Sequence, residues 1–140
     1  MRPRSIALVV VLSIFLLQSC ARNAGTPVED LSGKQDLSHF ALQSLKGTRD
    51  GDRLDAVALY ADGTRTLSIE LHFAINPQAR LQSGTWTGLE SSGTVEERST
   101  TFLGGQSGPP SLGGRFDLLG SDHRGRYRVA IPLQPLKDRI

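Results

Sequence analysis

The sequence predicts an all-β fold, a small antiparallel barrel or β-sandwich of about seven strands, and three observations carry that prediction. From Thr66 to Ile75 apolar and polar residues alternate strictly. Leu67, Ile69, Leu71, Phe73 and Ile75 fall on one face, Thr66, Ser68, Glu70 and His72 on the other. A period of two marks a strand with one buried face, whereas a helix would scatter the same groups around its circumference. Glycine-containing turn signals then recur at short intervals, at Arg49-Asp50-Gly51-Asp52, Ala61-Asp62-Gly63-Thr64, Ser91-Ser92-Gly93 and Ser121 to Gly125. Asp-Gly in particular supplies the positive φ that tight hairpins need. Finally, no segment after residue 20 carries a helical period over an ordinary helix length.

The chain opens on Arg2 and Arg4, an apolar run from Ile6 to Leu17, and then Gln18-Ser19-Cys20, which holds the only cysteine. A basic start, a short apolar middle and small residues before a cut are the parts of a secretory signal. The run is too short to span a bilayer core, which takes about 20 apolar residues. Leu17-Gln18-Ser19-Cys20 resembles the lipobox of bacterial lipoproteins. That resemblance implies cleavage before Cys20 and acylation of its sulfur, and Ala21 in place of an aspartate implies the outer membrane; the leaflet is not given by the sequence, and the periplasmic side is the expectation. Two or more acyl chains would make such attachment effectively permanent. Residues 1–19 are thus expected to be the signal peptide, and residues 20–35, poor in large apolar groups, a lipidated flexible tether. Residues 36–140 are expected to form the β-domain.

Within that domain the first expected strand is His39 to Lys46. Leu54 to Ala61 has apolar groups on both faces and is expected to be central. Thr66 to Ile75 follows, then Gly84 to Leu89. Thr94 to Leu103 is polar on both faces through its middle, which suits an edge or a strand projecting past the core. Arg115 to Leu119 comes next. In the last strand Tyr127, Val129, Ile131 and Leu133 are expected inward and Arg126 and Arg128 outward. Pro132 cannot donate to a ladder, so the strand should lie at an edge or be unpaired there. The longest connection, Gly104 to Gly114, has Pro109-Pro110 near its centre.

Charge narrows the function classes. The whole chain has 16 basic and 14 acidic side chains. Loss of residues 1–19 would remove two arginines and no acid, leaving a neutral mature protein. Nucleic-acid binding calls for a basic surface and is not expected. With no second cysteine the domain can form no internal disulfide.

No catalytic constellation is evident. His39, His72 and His123 share no metal-ligand spacing, and no metal or other cofactor is expected. Asp50, Asp52 and Asp55 lack the distal glutamate of a calcium loop. Glu96 and Glu97 are adjacent on a strand and so point to opposite faces. Gly104 to Pro110 has neither the lysine of a phosphate loop nor the spacing of a nucleophile elbow. Gly84-Thr85-Trp86 is similar to the Gly-x-Trp of lipocalin-like and avidin-like barrels, where the tryptophan packs across one barrel end.

The candidate binding residues are Trp86, Tyr127, Arg126 and Arg128. The two arginines stand about 7 Å apart on one face, a spacing suited to phosphate or carboxylate contacts. The expected protein is therefore a non-enzymatic envelope lipoprotein. It would be held to the membrane through Cys20 and bind or scaffold an envelope protein or glycan. The alternative is a small-ligand carrier with a cavity lined by Phe73, Trp86 and Phe116.

Overall fold

The computed structural model describes residues 26–104, 109–123 and 125–137. Cys20, the expected signal segment and part of the long Gly104 to Gly114 connection lie outside them. The described chain forms eight strands: β1 (Val28–Asp30), β2 (Ala41–Asp50), β3 (Arg53–Ala61), β4 (Thr66–Ala74), β5 (Arg80–Gly88), β6 (Ser91–Leu103), β7 (Ser111–Gly120) and β8 (Arg126–Pro135). They make one antiparallel sheet in the order β1-β8-β7-β6-β5-β4-β3-β2, curled into a half-barrel. From β2 to β8 every neighbour in sequence is a neighbour in the sheet. Only β1 departs from that order, returning to pair Val28, Glu29 and Asp30 with Val129, Arg128 and Tyr127.

Bulges produce the curl. The ladders slip by one residue at Gln43 in β2, Gln82 in β5, Arg98 in β6 and Pro132-Leu133 in β8. An extra residue in one strand bends it and increases its twist. The sheet also divides. β5 and β6 pair only through Thr85 to Gly88 and Ser91 to Thr94, after which β5 stays with β4 and β6 with β7. The two arms face each other, and Glu97 bridges their split. Its Oε2 accepts the Leu81 amide at 2.9 Å and the Thr100 hydroxyl at 2.6 Å, replacing ladder acceptors that the divergence removes.

Alternation puts one face of each strand inside. Leu54, Ala56, Ala58 and Tyr60 of β3, Leu67, Ile69, Leu71 and Phe73 of β4, and Leu112, Phe116 and Leu118 of β7 are buried in one cluster. Contacts between the arms fill the interior. Phe73 meets Phe116 edge to face at 6.0 Å between ring centres, and Trp86 meets Tyr127 in the same way at 5.5 Å. Such pairs add to the area term, which contributes about 1.5–3 kcal/mol for each large apolar side chain buried.

The two sheet ends meet through isolated contacts. The Tyr60 hydroxyl donates to the Ala130 carbonyl at 2.9 Å. That carbonyl lies just past the point where β1 gives out, since the Ala130 amide donates to Pro27. Further along, Lys137 bridges to Lys46, with its amide on the Leu45 carbonyl at 2.9 Å. At the opposite end the segment between β1 and β2 acts as a plug. Leu37 and Phe40 are buried, and Arg65 lies over the Phe40 ring at 5.1 Å and donates to the Asp36 carbonyl.

Several expectations change. Residues 28–35 are not tether: Val28 is a core residue on a paired strand, and Asp30 accepts from the Ser32 and Gln35 amides. Among the described residues the sheet starts at Val28, just past Pro27, and has eight strands. β6 is interior in the sheet order, although most of its length lacks β5 as a partner. Ser91 to Gly93 belong to β6, and the turn before them is Leu89-Glu90, both at positive φ. Leu133 faces out. The bulge at Pro132-Leu133 advances the phase of β8, so Leu133 is 49% exposed and Leu136 takes the inward place. β3 is central as expected, and Pro132 stands where β1 no longer reaches.

Candidate functional site on the outer face of β6, β7 and β8

The outward side chains of β6, β7, β8 and β1 fall into lateral rows set by the register. One row reads Glu96, Asp117, Arg128, Glu29, and the next Ser99, Arg115, Ala130. Asp117 is the only buried charged residue among the described ones, yet it belongs to the outer face. Arginine side chains cover it, not the core. Arg128 grips it with Nε at 2.7 Å and Nη2 at 3.3 Å, close to the two-point geometry that guanidinium and carboxylate share. Arg126 Nη2 and Arg98 Nε stand at 3.6 and 3.9 Å. Burial works to raise the Asp117 pKa. The Arg128 hydrogen bond and the charges of Arg128, Arg98 and Arg126 outweigh it and hold the carboxyl below its ordinary range.

Arg126 and Arg128 thus point outward as their spacing implies, but Arg128 is committed to Asp117. Arg98 and Arg126 are about half exposed and more loosely held. Tyr127 and Trp86 lie elsewhere. Both are buried on the inner side at the plugged end, and the Trp86 indole N–H donates to the Leu119 carbonyl at 3.1 Å. That bond depends on Gly93. A Cβ there would fall 1.8 Å from the Leu119 oxygen and 2.9 Å from the indole nitrogen. The Tyr127 hydroxyl accepts from Gln35 at 3.3 Å. Burial, with the Asp30 charge, raises the Tyr127 pKa against that hydrogen bond. The four candidate residues therefore split between two faces of the sheet and form no single site.

Next to the arginines lies a groove of about 530 Å3. Its floor is the Gly113-Gly114 backbone of β7, and its walls are Thr101 on β6 and Pro132 and Leu133 on β8. Gly113 is required by the bulge opposite, because a Cβ would come within 2.7 Å of the Leu133 Cα. Arg115 and Pro27 border the groove where the next row begins. Leu103, two residues beyond Thr101 on the same face, is 55% exposed; it and Leu133 are the exposed large apolar residues among the described ones.

A second constellation lies on the outer face of β3, β4 and β5. His72 Nδ1 is 2.7 Å from Asp55 Oδ1, and Ser83 is the register partner of His72 on the next strand. Acid, imidazole and hydroxyl thus follow one another across three strands. No hydrogen bond joins Ser83 to the imidazole, and His72 and Asp55 are about two-fifths exposed. A row so open to water lacks the exclusion of solvent that acyl transfer uses. Among the described residues no three His, Cys, Asp or Glu side chains gather as a metal site, and no helix is long and apolar enough to cross a membrane.

Comparison with protein-family models, curated proteins and solved structures finds no match to this chain. Sequence reading missed Asp117, Arg98 and the groove. Each depends on pairings between distant strands, and the one local signal is the adjacent glycine pair at 113 and 114.

Proposed function

We propose that the protein is a membrane-anchored envelope lipoprotein whose β-domain has a non-enzymatic binding or scaffolding role. The observation that carries this reading is the lipobox-like Leu17-Gln18-Ser19-Cys20 only six residues before the point, Thr26, where the described domain begins. Fully extended, that stretch reaches roughly 20 Å, so the domain works close to the bilayer. The filled interior supports binding at the surface over the carrier alternative. Phe73, Trp86 and Phe116, the expected cavity lining, are buried against other side chains. The exposed Asp55-His72-Ser83 row lends no support to hydrolysis.

Cys20→Ser tests the anchor. The wild-type chain is expected in the membrane fraction with an acylated N-terminal peptide, and the variant is expected to lose both the added mass and the membrane association. A variant that still sediments with membranes, unchanged in mass, would sink the reading. The binding role is tested by cross-linking in native envelopes, where a reproducible protein or glycan partner is expected; none in repeated trials counts against it.

A further inference from the structure

We infer that the outer face of β6, β7 and β8 is a lipid-contacting surface. Leu103 and Leu133 enter the outermost layer of an anionic bilayer, while Arg98, Arg115 and Arg126 meet its phosphates. The inference rests on the reading of Cys20 as an anchor and adds to it which way the domain faces.

Three independent features converge on this side of the sheet. The first is apolar exposure. Leu133 walls a groove floored by glycine backbone, and Leu103 stands two residues beyond the Thr101 wall on the same face, both side chains about half exposed. A single exposed leucine is ordinary, but two across one strand from each other, with Pro132 and Ala130 beside them, form a patch that marks an interaction surface. The bulge that turns Leu133 out also forces glycine at 113, so the same irregularity exposes one leucine and clears the groove beside it.

Cationic groups border that patch. Arg115 edges the groove, and the Asp117 cluster occupies the next row, about 7 Å further along the strands. Among the described residues the charged groups of this face are Arg98, Arg115, Arg126 and Arg128 against Asp117, Glu29 and Glu96, an excess of one positive charge. That excess is small. Arg98 and Arg126, however, are half exposed and held only at 3.9 and 3.6 Å, so they can turn to a phosphate without breaking a close ion pair. Guanidinium groups beside exposed leucines reproduce the two layers of a bilayer interface, headgroup and acyl boundary.

The third feature is position. Pro27, which borders the groove, is the residue through which the chain joins β1, seven residues after Cys20. The leash therefore enters the described domain beside this face. Tethering also lowers the affinity required. A leash of a few residues holds the face at a high effective concentration over the surface, so weak contacts suffice to orient the domain.

The test uses the full acylated chain reconstituted in vesicles of phosphatidylcholine with one-third phosphatidylglycerol. With Cys20 acylated, a cysteine placed at Leu133 (Leu133→Cys) is the sole free thiol and takes an environment-sensitive fluorophore. Glu70→Cys, on the outer face of β4, is labelled in parallel. Blue-shifted emission and several-fold greater quenching by a nitroxide-bearing lipid at 133 than at 70 are expected. Adding Leu103→Asp with Arg115→Glu should abolish the difference. The buried Trp86, the only tryptophan, should keep its emission, showing that the fold survives. Acylated protein with equal, water-like emission at both positions overturns the inference and spares the anchor. A mature N-terminal peptide without lipid removes the anchor and this inference with it. Lipid contact that persists in pure phosphatidylcholine and in the Leu103→Asp, Arg115→Glu background overturns the assignment of these residues.

Discussion

Asp117 is held by the Arg128 hydrogen bonds and the charges of three arginines, and three other aspartates among the described residues share its tendency to stay ionised. At Asp30 burial opposes ionisation, and hydrogen bonds from Ser32 and Gln35 overcome it. At Asp36 the Ser38 hydroxyl and amide are the main cause. At Asp62 the Arg65 and Thr64 amides hold the carboxyl far below the usual range. A pKa lower in the folded than in the unfolded state adds stability that is complete above the unfolded value, about 4, and drains away as pH falls through the folded one. Thermal melts should therefore show stability level near neutrality and falling below about pH 4. Asp117→Asn should flatten part of that fall. At neutral pH it should cost roughly 1–3 kcal/mol, because three guanidinium groups lose their common counter-charge. A variant with an unaltered acid limb would show that the cluster does not contribute.

Backbone strain is concentrated at Leu89-Glu90, a two-residue hairpin turn with φ of 53° and 59°. Asparagine and glycine usually occupy such turns. Leu89 keeps its place by packing on the core, but Glu90 is exposed. Glu90→Gly should stabilise the fold by about 1 kcal/mol in denaturant titration, the strain relieved outweighing the entropy glycine adds to the unfolded chain.

Strands with one buried face could be read from the sequence; their irregularities could not. Thr66 to Ile75 alternates without interruption and became β4 nearly residue for residue, because a period of two is a local property. Alternation alone puts Leu133 inside, but a bulge changes the phase, and the bulge answers to Gly113 on another strand. Val28 to Asp30 looked like tether because three residues carry no periodicity. Only the uncovered edge of β8 makes a strand of them. Asp117 could be seen as outward-facing on β7, but that three arginines meet over it depends on the alignment of β6, β7 and β8. The site was thus less legible than the fold.

Element-scale seams make their own predictions. Tyr60 reaches across the interior from β3 to serve a carbonyl of β8 that no strand serves. Tyr60→Phe keeps the ring and strands that acceptor, so a loss of about 1–2 kcal/mol is expected, with faster amide exchange confined to β8 and its neighbours. A loss spread evenly over the sheet would mean that the hydroxyl does not join the two ends. Gly93→Ala is the harsher change. Its Cβ would overlap a backbone oxygen, so β6 or β7 must move and the Trp86 bond break. A loss above roughly 3 kcal/mol, with altered tryptophan emission, is expected.

For the whole molecule, the curled sheet has a filled interior and differentiated outer faces. Two arms packed through Phe73-Phe116 and Trp86-Tyr127 hold the outer faces in shape. The side bearing Leu103, Leu133 and the arginines differs in chemistry from that bearing Asp55 and His72, so the domain has a front and a back.

The shortness of β1 has a mechanical consequence. If the chain is anchored at Cys20 as proposed, a pull there would load this strand first, and three residue pairs with one flanking hydrogen bond at each end fasten it to β8. Under tension it would peel away before anything else, paying out residues 28 to 36 as added leash, at most about 30 Å. The other seven strands would keep their pairing, so the protein carries a built-in slack that force could release and relaxation rewind.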